Sequence, residues 1–221
     1  MHKMIDNYVA AVYDQLAPIY DDHFKRPVDL AENTVITQFF RSLIPDPVNA
    51  RVLELGCGTG FLLDVMPDIG HYMGQDISPL MLERAKTKHP YRDFYCGDMA
   101  ELGQFDGMKF THIVSTFGSF SYCTYPRVSA NQQYYLLEQG GVVAHQVLGH
   151  RYRHRRSHIA GNVSYTTYSA HHLRSVFGGY RDVHVAGVNL LDFAPTLALE
   201  HNLLGLLFPD LFYYLIVVGT K

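Results

Sequence analysis

The 221-residue chain reads as an open, mostly parallel α/β sheet wound with helices on both faces. Three observations predict this. From Arg51 onward, short apolar runs alternate with helical patterns, the rhythm of a doubly wound parallel sheet. The first run empties into glycines at alternate positions, Gly56, Gly58 and Gly60, with a helix behind them. Acids stand at the ends of the next two runs, Asp76 and, just beyond the third, Asp98.

The elements follow in order. Residues Met4 to Leu16 predict a short helix. Val35/Ile36, Phe39/Phe40 and Leu43/Ile44 recur every four residues and predict an amphipathic helix, ended by Pro45 and Pro47. Arg51 to Leu55 is a buried strand, and Phe61 to Met66 a short helix stopped by Pro67. His71 to Ile77 is the second strand. Ser78-Pro79 opens a helix to about Lys88, serine as cap and proline in the first turn. Tyr91 to Cys96 and Lys109 to Ser115 are the third and fourth strands. Pro126 to Glu138 is expected to be helical and to stop at Gly140-Gly141, with Gly141 to Leu148 as the fifth strand. Ser169 caps a helix to Phe177. Arg181 to Val188 and Phe212 to Gly219 complete the strands.

This divides the chain into a helical lid over residues 1–48 and an α/β domain over 49–221, with insertions at about 149–168 and 189–211. Ligands of such sheets bind outside the C-terminal strand ends, so the lid and both insertions are the natural cover of a site.

Composition narrows the functions. With 48% hydrophobic and 18% charged residues the chain can bury a core. A net charge of -3 gives no general drive toward nucleic acid or anionic membrane. Cys57, Cys96 and Cys123, scattered and odd in number, suit a reducing compartment and a cytoplasmic location. No signal peptide is visible, and Pro209-Asp210 splits the most apolar stretch, Leu203 to Gly219, into halves too short for a bilayer.

The chemistry starts at Val52-Leu-Glu-Leu-Gly-Cys-Gly-Thr-Gly60. Glycines permit a tight turn and a close backbone approach to a ligand, and the following helix start offers free N–H groups. A nicotinamide fingerprint wants glycine at position 61, where Phe61 stands. Asp76, 20 residues beyond Gly56, can accept from both hydroxyls of a ribose. In Cys96-Gly-Asp-Met99, the carboxylate of Asp98 can accept from an adenine amine while Met99 packs on the ring.

These motifs resemble the class I S-adenosylmethionine-dependent methyltransferases. The resemblance runs through Val52 to Gly60, Gly74-Gln-Asp-Ile-Ser-Pro79, Gly97-Asp-Met99, Phe110-Thr-His-Ile-Val-Ser-Thr116 and Leu137-Glu-Gln-Gly-Gly-Val142. It implies a Rossmann-like, seven-stranded sheet whose last strand is antiparallel and lies between the fifth and sixth. It implies S-adenosyl-L-methionine as cofactor, with Glu54, Gly56, Gly58 and Gly60 around its methionine part, Asp76 on the ribose, Asp98 and Met99 on the adenine, Ser115 or Thr116 beside the sulfonium, and Cys57, Ile77, Met81 and Gly97 as further cofactor-binding residues. Base and amide N-methyltransferases carry Asn/Asp-Pro-Pro-Tyr after the fourth strand; here it is Ser115-Thr-Phe-Gly-Ser-Phe-Ser-Tyr122, closer to the small-molecule branch. Tyr13 to Asp21 resembles that branch as well, with Tyr13 and Tyr20 over the cofactor's amino-acid end, or Tyr13 simply packing a helix face.

The expected function is methyl transfer to oxygen, nitrogen or carbon of a small-molecule metabolite. His145, near the end of the fifth strand, is the candidate general base, against the plainer reading of a satisfied core histidine. Phe117, Phe120, Tyr122 and Tyr125 are expected either to wall a flat substrate or to anchor the next helix. The run His150-Arg-Tyr-Arg-His-Arg-Arg156-Ser-His158 reads first as a solvated loop, then as a lid for an anionic substrate, and last as an RNA contact. His154 and His158 sit four apart, but no carboxylate or cysteine lies near them, so no metal is expected. Neither nucleic acid nor membrane is expected as partner; residues 189–211 offer either a pocket cover or a homodimer face. The rivals are a same-fold enzyme doing cyclisation or aminopropyl transfer, a nicotinamide oxidoreductase, and a non-catalytic relative.

Overall fold

In a computed structural model of the chain we describe residues 2–23, 25, 27–154, 163–188 and 206–221. Seven strands form one sheet: β1 (Arg51–Leu55), β2 (His71–Asp76), β3 (Asp93–Cys96), β4 (Phe110–Ser115), β5 (Leu137–Leu148), β6 (Arg181–Val188) and β7 (Tyr214–Thr220). Their order is β3-β2-β1-β4-β5-β7-β6. The first five pair in parallel, and β7 runs antiparallel between β5 and β6, which is the topology the family resemblance implies.

Alternation along each strand builds two cores. Leu53, Leu55, Ile113, Val143, Val147, Leu215 and Val217 point to one face, where α6 (Pro126–Leu136) and α7 (Ala170–Val176) pack. Val52, Val114, Ala144 and Ile216 point to the other, against α3 (Pro27–Leu43), α4 (Phe61–Val65) and α5 (Pro79–Lys88). Ile36, Phe40 and Ile44 recur every four residues and are each 1% exposed. Burying each contributes roughly 1.5–3 kcal/mol, so α3 is a wall of the sandwich. The cover expected over residues 1–48 therefore divides. Only α1 (His2–Leu16), the turn Ala17–Ile19 and α2 (Tyr20–His23) remain to reach the strand tips.

Two helix starts follow the sequence closely. Ser78 accepts the N–H of Met81 and Ser169 that of His172, so each caps the helix that follows. One stop does not. α6 ends at Leu136 and passes straight into β5 at Leu137, so Glu138, Gln139 and Gly140 are strand residues. Gly140 takes φ 78 where the pairing slips from Phe110↔Leu137 to His112↔Val142; the glycine permits a bulge rather than a helix end. The second strand stops at Asp76 and the third begins at Asp93, each a residue or two inside the expected span. Of the first insertion, Thr166 N–H donates to the Ser121 carbonyl and Tyr168 N–H to that of Leu148, laying the returning chain beside the end of β5. Most of the second insertion, 189–205, lies outside the described residues. No helix among the described residues is long and apolar enough to cross a membrane.

Candidate functional site

The site grows from the turn after β1. Gly56, Gly58 and Gly60 have φ of 69, 52 and 88, the left-handed region that a side chain disfavours. A Cβ on Gly56 would stand 2.5 Å from Cβ of Ser119, so the approach is close as well as left-handed. The N–H groups of Gly56 and Cys57 both donate to the Gln75 carbonyl on β2, at 2.7 and 3.0 Å. Asp76, the last residue of β2, accepts from Gly58 N–H at 2.8 Å and from Ser78 N–H at 2.9 Å. One carboxylate thus braces the glycine turn and the start of α5. Burial pushes its pKa up, and the main-chain N–H bonds work against that rise.

The next tip is fixed similarly. Asp98 accepts from Ala100 N–H at 2.7 Å, and its carbonyl accepts from the buried Gln75 amide at 2.9 Å. Ser129 on α6 donates to the Met99 carbonyl at 2.6 Å. Register places Asp76 opposite Cys96, so the tips of β2 and β3 lie side by side.

Above these tips is a cleft of about 880 Å³, partly open to solvent. Gly56, Cys57, Gly58, Asp76, Ile77 and Met81 line it, and Gly97, Asp98 and Met99 continue it. Thr116 and Phe117 close the β4 side; Tyr13, Tyr20 and Tyr122 complete it. Sequence reasoning missed four lining residues: Val9, Thr59, Phe61 and Ser119. Thr59 and Phe61 carried a signal, since they flank Gly60 in a turn already assigned to the ligand. Ser119 carried none, because only the close pass at Gly56 brings it there.

The N-terminal segment is tied over the cleft by two acids. Asp14 on α1 accepts from the Ser78 hydroxyl at 2.6 Å and from Leu80 N–H at 3.0 Å. Asp21 on α2 accepts from the Thr59 hydroxyl at 2.5 Å and meets Arg84 at 3.3 Å and Lys88 at 3.6 Å. Burial raises the Asp21 pKa, but the Thr59 hydroxyl and the two cations outweigh it and leave it lowered. Phe117 holds φ 50, rare for a bulky residue; its N–H donates to the Gln146 side chain and its ring meets Phe61 at 4.7 Å.

Several expected site residues stand elsewhere. Glu54 lies behind the turn, fully buried, accepting from the Tyr72 hydroxyl at 2.6 Å and from Thr116 at 3.1 Å. Burial pushes its pKa up to about 8. Gly60 caps α4 instead of lining the cleft. Tyr125 is 41% exposed outside it.

His145 requires a correction. It faces away from the cleft, with no exposed surface, between the rings of Phe120 at 4.4 Å and Phe177 at 5.4 Å. Its Nδ1 pairs with the Ser115 hydroxyl and its Nε2 with Gln133, both at 2.8 Å. Burial pushes its pKa down to about 3. A histidine sealed in this way has no route to a substrate proton, so the general-base role falls. Ser115 and Phe120 go with it: both are fully buried, and the next residue, Thr116, takes the cleft position instead.

The basic run turns partly inward. Arg151 donates to the Leu211 carbonyl and lies 5.4 Å from the Tyr213 ring, and His150 pairs with Thr167. The side chains of His154 and His158 lie outside what is described.

Residues 52–141 match the family model described as a methyltransferase domain. A curated 18S rRNA (guanine-N(7))-methyltransferase from Bos taurus is 42% identical over 59 residues, which is 26% of this chain and 21% of that protein. The match thus spans about a fifth of the relative's length. Among solved structures, a Thermotoga maritima S-adenosylmethionine-dependent methyltransferase, a possible histamine N-methyltransferase, superposes with TM-score 0.70 at 15% identity, over 96% of this chain and 99% of that one. An amino pentose methyltransferase from Micromonospora echinaspora, solved with S-adenosylmethionine bound, gives TM-score 0.62 at 20% identity, over 92% and 95%. Residues 52–141 thus match a methyltransferase domain, and the sheet built around them has the fold of solved S-adenosylmethionine-dependent methyltransferases.

Proposed function

We propose that the chain transfers a methyl group from S-adenosylmethionine to a small-molecule acceptor. The observation that carries this is the joint unit of Asp76 and the left-handed glycine turn, opening onto one cleft. The cradle fits the cofactor: bare main chain at Gly56 and Gly58 for its amino-acid part, Asp76 for its ribose, Asp98 and Met99 for its adenine. Bound there, it supplies an electrophilic methyl group on a sulfonium, a good leaving group.

The chain's own residues then position and exclude water. Asp14 and Asp21 fasten the N-terminal helices across the cleft, and Phe61 and Phe117 make one apolar side of it. Thr116 is fixed by its bond to Glu54 at the β4 edge, the position expected beside the sulfur. A cleft roofed by helices and walled by rings, in a chain of net charge -3, favours a small acceptor over a nucleic acid. We place the reaction in the cytoplasm, where three cysteines outside any disulfide suit a reducing medium.

A second reading, a nucleobase acceptor, draws on the partial match to the guanine-N(7)-methyltransferases, since an unpaired base would also stack on rings. Calorimetric titration with S-adenosylhomocysteine and with NAD tests the cofactor, and label transfer from methyl-labelled cofactor to a metabolite extract or to total RNA separates the acceptors. Binding of NAD alone would overturn the assignment.

A further inference from the structure

Five tyrosines form a continuous chain of ring contacts beside the cleft. Tyr20 meets Tyr13 at 6.3 Å, Tyr13 meets Tyr122 at 5.7 Å, Tyr122 meets Tyr165 at 6.1 Å and Tyr165 meets Tyr152 at 5.9 Å. They come from three separate stretches: the N-terminal helices, the turn after β4, and the insertion after β5. Tyr13, Tyr20 and Tyr122 line the cleft itself. The Tyr13 and Tyr122 rings stand at 86° and their hydroxyls share a hydrogen bond, so each ring's orientation is set by the other. Steeply tilted rings present π faces from several directions to one small volume. That is a surface for a cation.

The charges in the cleft say which cation. When a nitrogen lone pair takes up the methyl group, the nitrogen–carbon bond forms and the carbon–sulfur pair leaves with sulfur. The positive charge passes from sulfur to nitrogen, and no proton has to move within the step. A cation is present before and after, and ring faces stabilise both. A hydroxyl acceptor differs, because its proton needs an acceptor. Among the described lining residues the candidates are engaged or unsuited. Asp76 and Asp98 accept main-chain N–H groups of their own turns, and burial pushes the phenols of Tyr13, Tyr20 and Tyr122 up, away from acting as bases.

We infer that the acceptor is an aliphatic amine that gives its proton to bulk water before it enters, is methylated as the neutral amine, and is held as the resulting alkylammonium against the rings of Tyr13, Tyr20 and Tyr122. This rests on the methyltransferase reading above and names its substrate class.

The test uses the full chain saturated with S-adenosylhomocysteine. Failure to bind that nucleoside would undo the methyltransferase reading, before the amine is addressed at all. With it bound, trimethyl(2-phenylethyl)ammonium is titrated against its neutral carbon isostere. We expect the cation to bind about tenfold tighter. That preference should persist in Tyr122→Phe, which keeps the ring, and fall toward one in Tyr122→Leu; Tyr20→Phe and Tyr20→Leu repeat the comparison at a second ring. In parallel, methyl-labelled cofactor is offered with pooled small primary amines and with the matching alcohols, and label is expected in the amine pool. Equal binding of the two isosteres, a preference that survives both leucine variants, or label on oxygen would overturn the inference. So would a leucine variant that loses affinity for S-adenosylmethionine but not for S-adenosylhomocysteine, since the rings would then serve the sulfonium alone.

Discussion

Gly58 donates its main-chain N–H to Oδ2 of Asp76 across 2.8 Å, so the turn after β1 and the tip of β2 are held as one unit. The other oxygen accepts from Ser78. An acid fixed on both sides enters a complex already oriented, and this one lines the cleft.

The first prediction concerns that acid. Two charge-assisted bonds to ribose hydroxyls are worth about 1.5–3 kcal/mol each. Asp76→Ala should therefore weaken S-adenosylhomocysteine binding by at least ~100-fold, measured by calorimetry well below the unfolding temperature. It should also lower stability, because the N–H groups of Gly58 and Ser78 lose their partner. Undiminished affinity would remove the ribose role.

The second concerns His145, whose interest is now stability. Its folded pKa, about 3, lies below the ordinary 6.5. Between those values the unfolded chain binds a proton that the folded one does not, so stability rises with pH there. The contribution is present above pH 6.5 and lost as pH falls toward 3, at most ~1.4 kcal/mol per pH unit. His145→Gln should flatten the urea-denaturation stability profile between about pH 3 and 4.5, below the range in which Glu54 acts. It should leave the affinity for S-adenosylhomocysteine within about twofold of wild type, at conditions where both are folded. A large loss of affinity would return His145 to the site.

Glu54 makes the opposite contribution. Its folded pKa, about 8, lies above the ordinary 4.5, so between them the folded chain holds the extra proton. Stability then falls as pH rises through the window, and the carboxyl is least costly below 4.5. Glu54→Gln cannot titrate. Its stability relative to wild type should climb from pH 5 to pH 8, again by at most ~1.4 kcal/mol per unit. Between about 4.5 and 6.5 the Glu54 and His145 slopes oppose each other, so the wild-type profile should be flatter there than either single variant's. A relative stability of Glu54→Gln that is constant with pH would mean that the Tyr72 and Thr116 bonds keep the carboxylate charged.

What the sequence made legible was whatever local chemistry imposes. The glycine turn, the acids at the tips of β2 and β3, and the serine caps of α5 and α7 each follow from a backbone requirement that few residues meet. Facing was much harder to read. Along β5 the alternation does not say which face carries the ligand, and His145 fell on the face that Gln133, Phe120 and Phe177 close. The same ambiguity left Ser115 and Thr116 as alternatives, of which only Thr116 lines the cleft. Gly140 looked like a helix stop because glycine serves a bulge and a C-cap equally well. The tyrosine chain was illegible, since Tyr13, Tyr122 and Tyr165 meet only after three distant segments fold together.

The last prediction concerns the fastening of α1. Asp14 is its polar tie to α5, holding the Ser78 hydroxyl and Leu80 N–H at once. Ser78 would still cap α5 through Met81 without it, so Asp14→Ala should leave the sheet intact and loosen only the cover. Asp21 is a second tie, to Thr59, Arg84 and Lys88, and it persists in that variant. Either single alanine variant should therefore speed S-adenosylhomocysteine dissociation only a few-fold. Removing both should speed it by more than the product of the two, because neighbours that share a task couple by about 0.5–3 kcal/mol. Stopped-flow displacement gives the rates, and hydrogen exchange should show α1 amides losing protection while those of β1 and β4 do not. Rates that simply multiply, with α1 exchange unchanged, would mean that the cover is held by the Val9 and Tyr13 side chains, packed with Val163 and Tyr122, rather than by its acids.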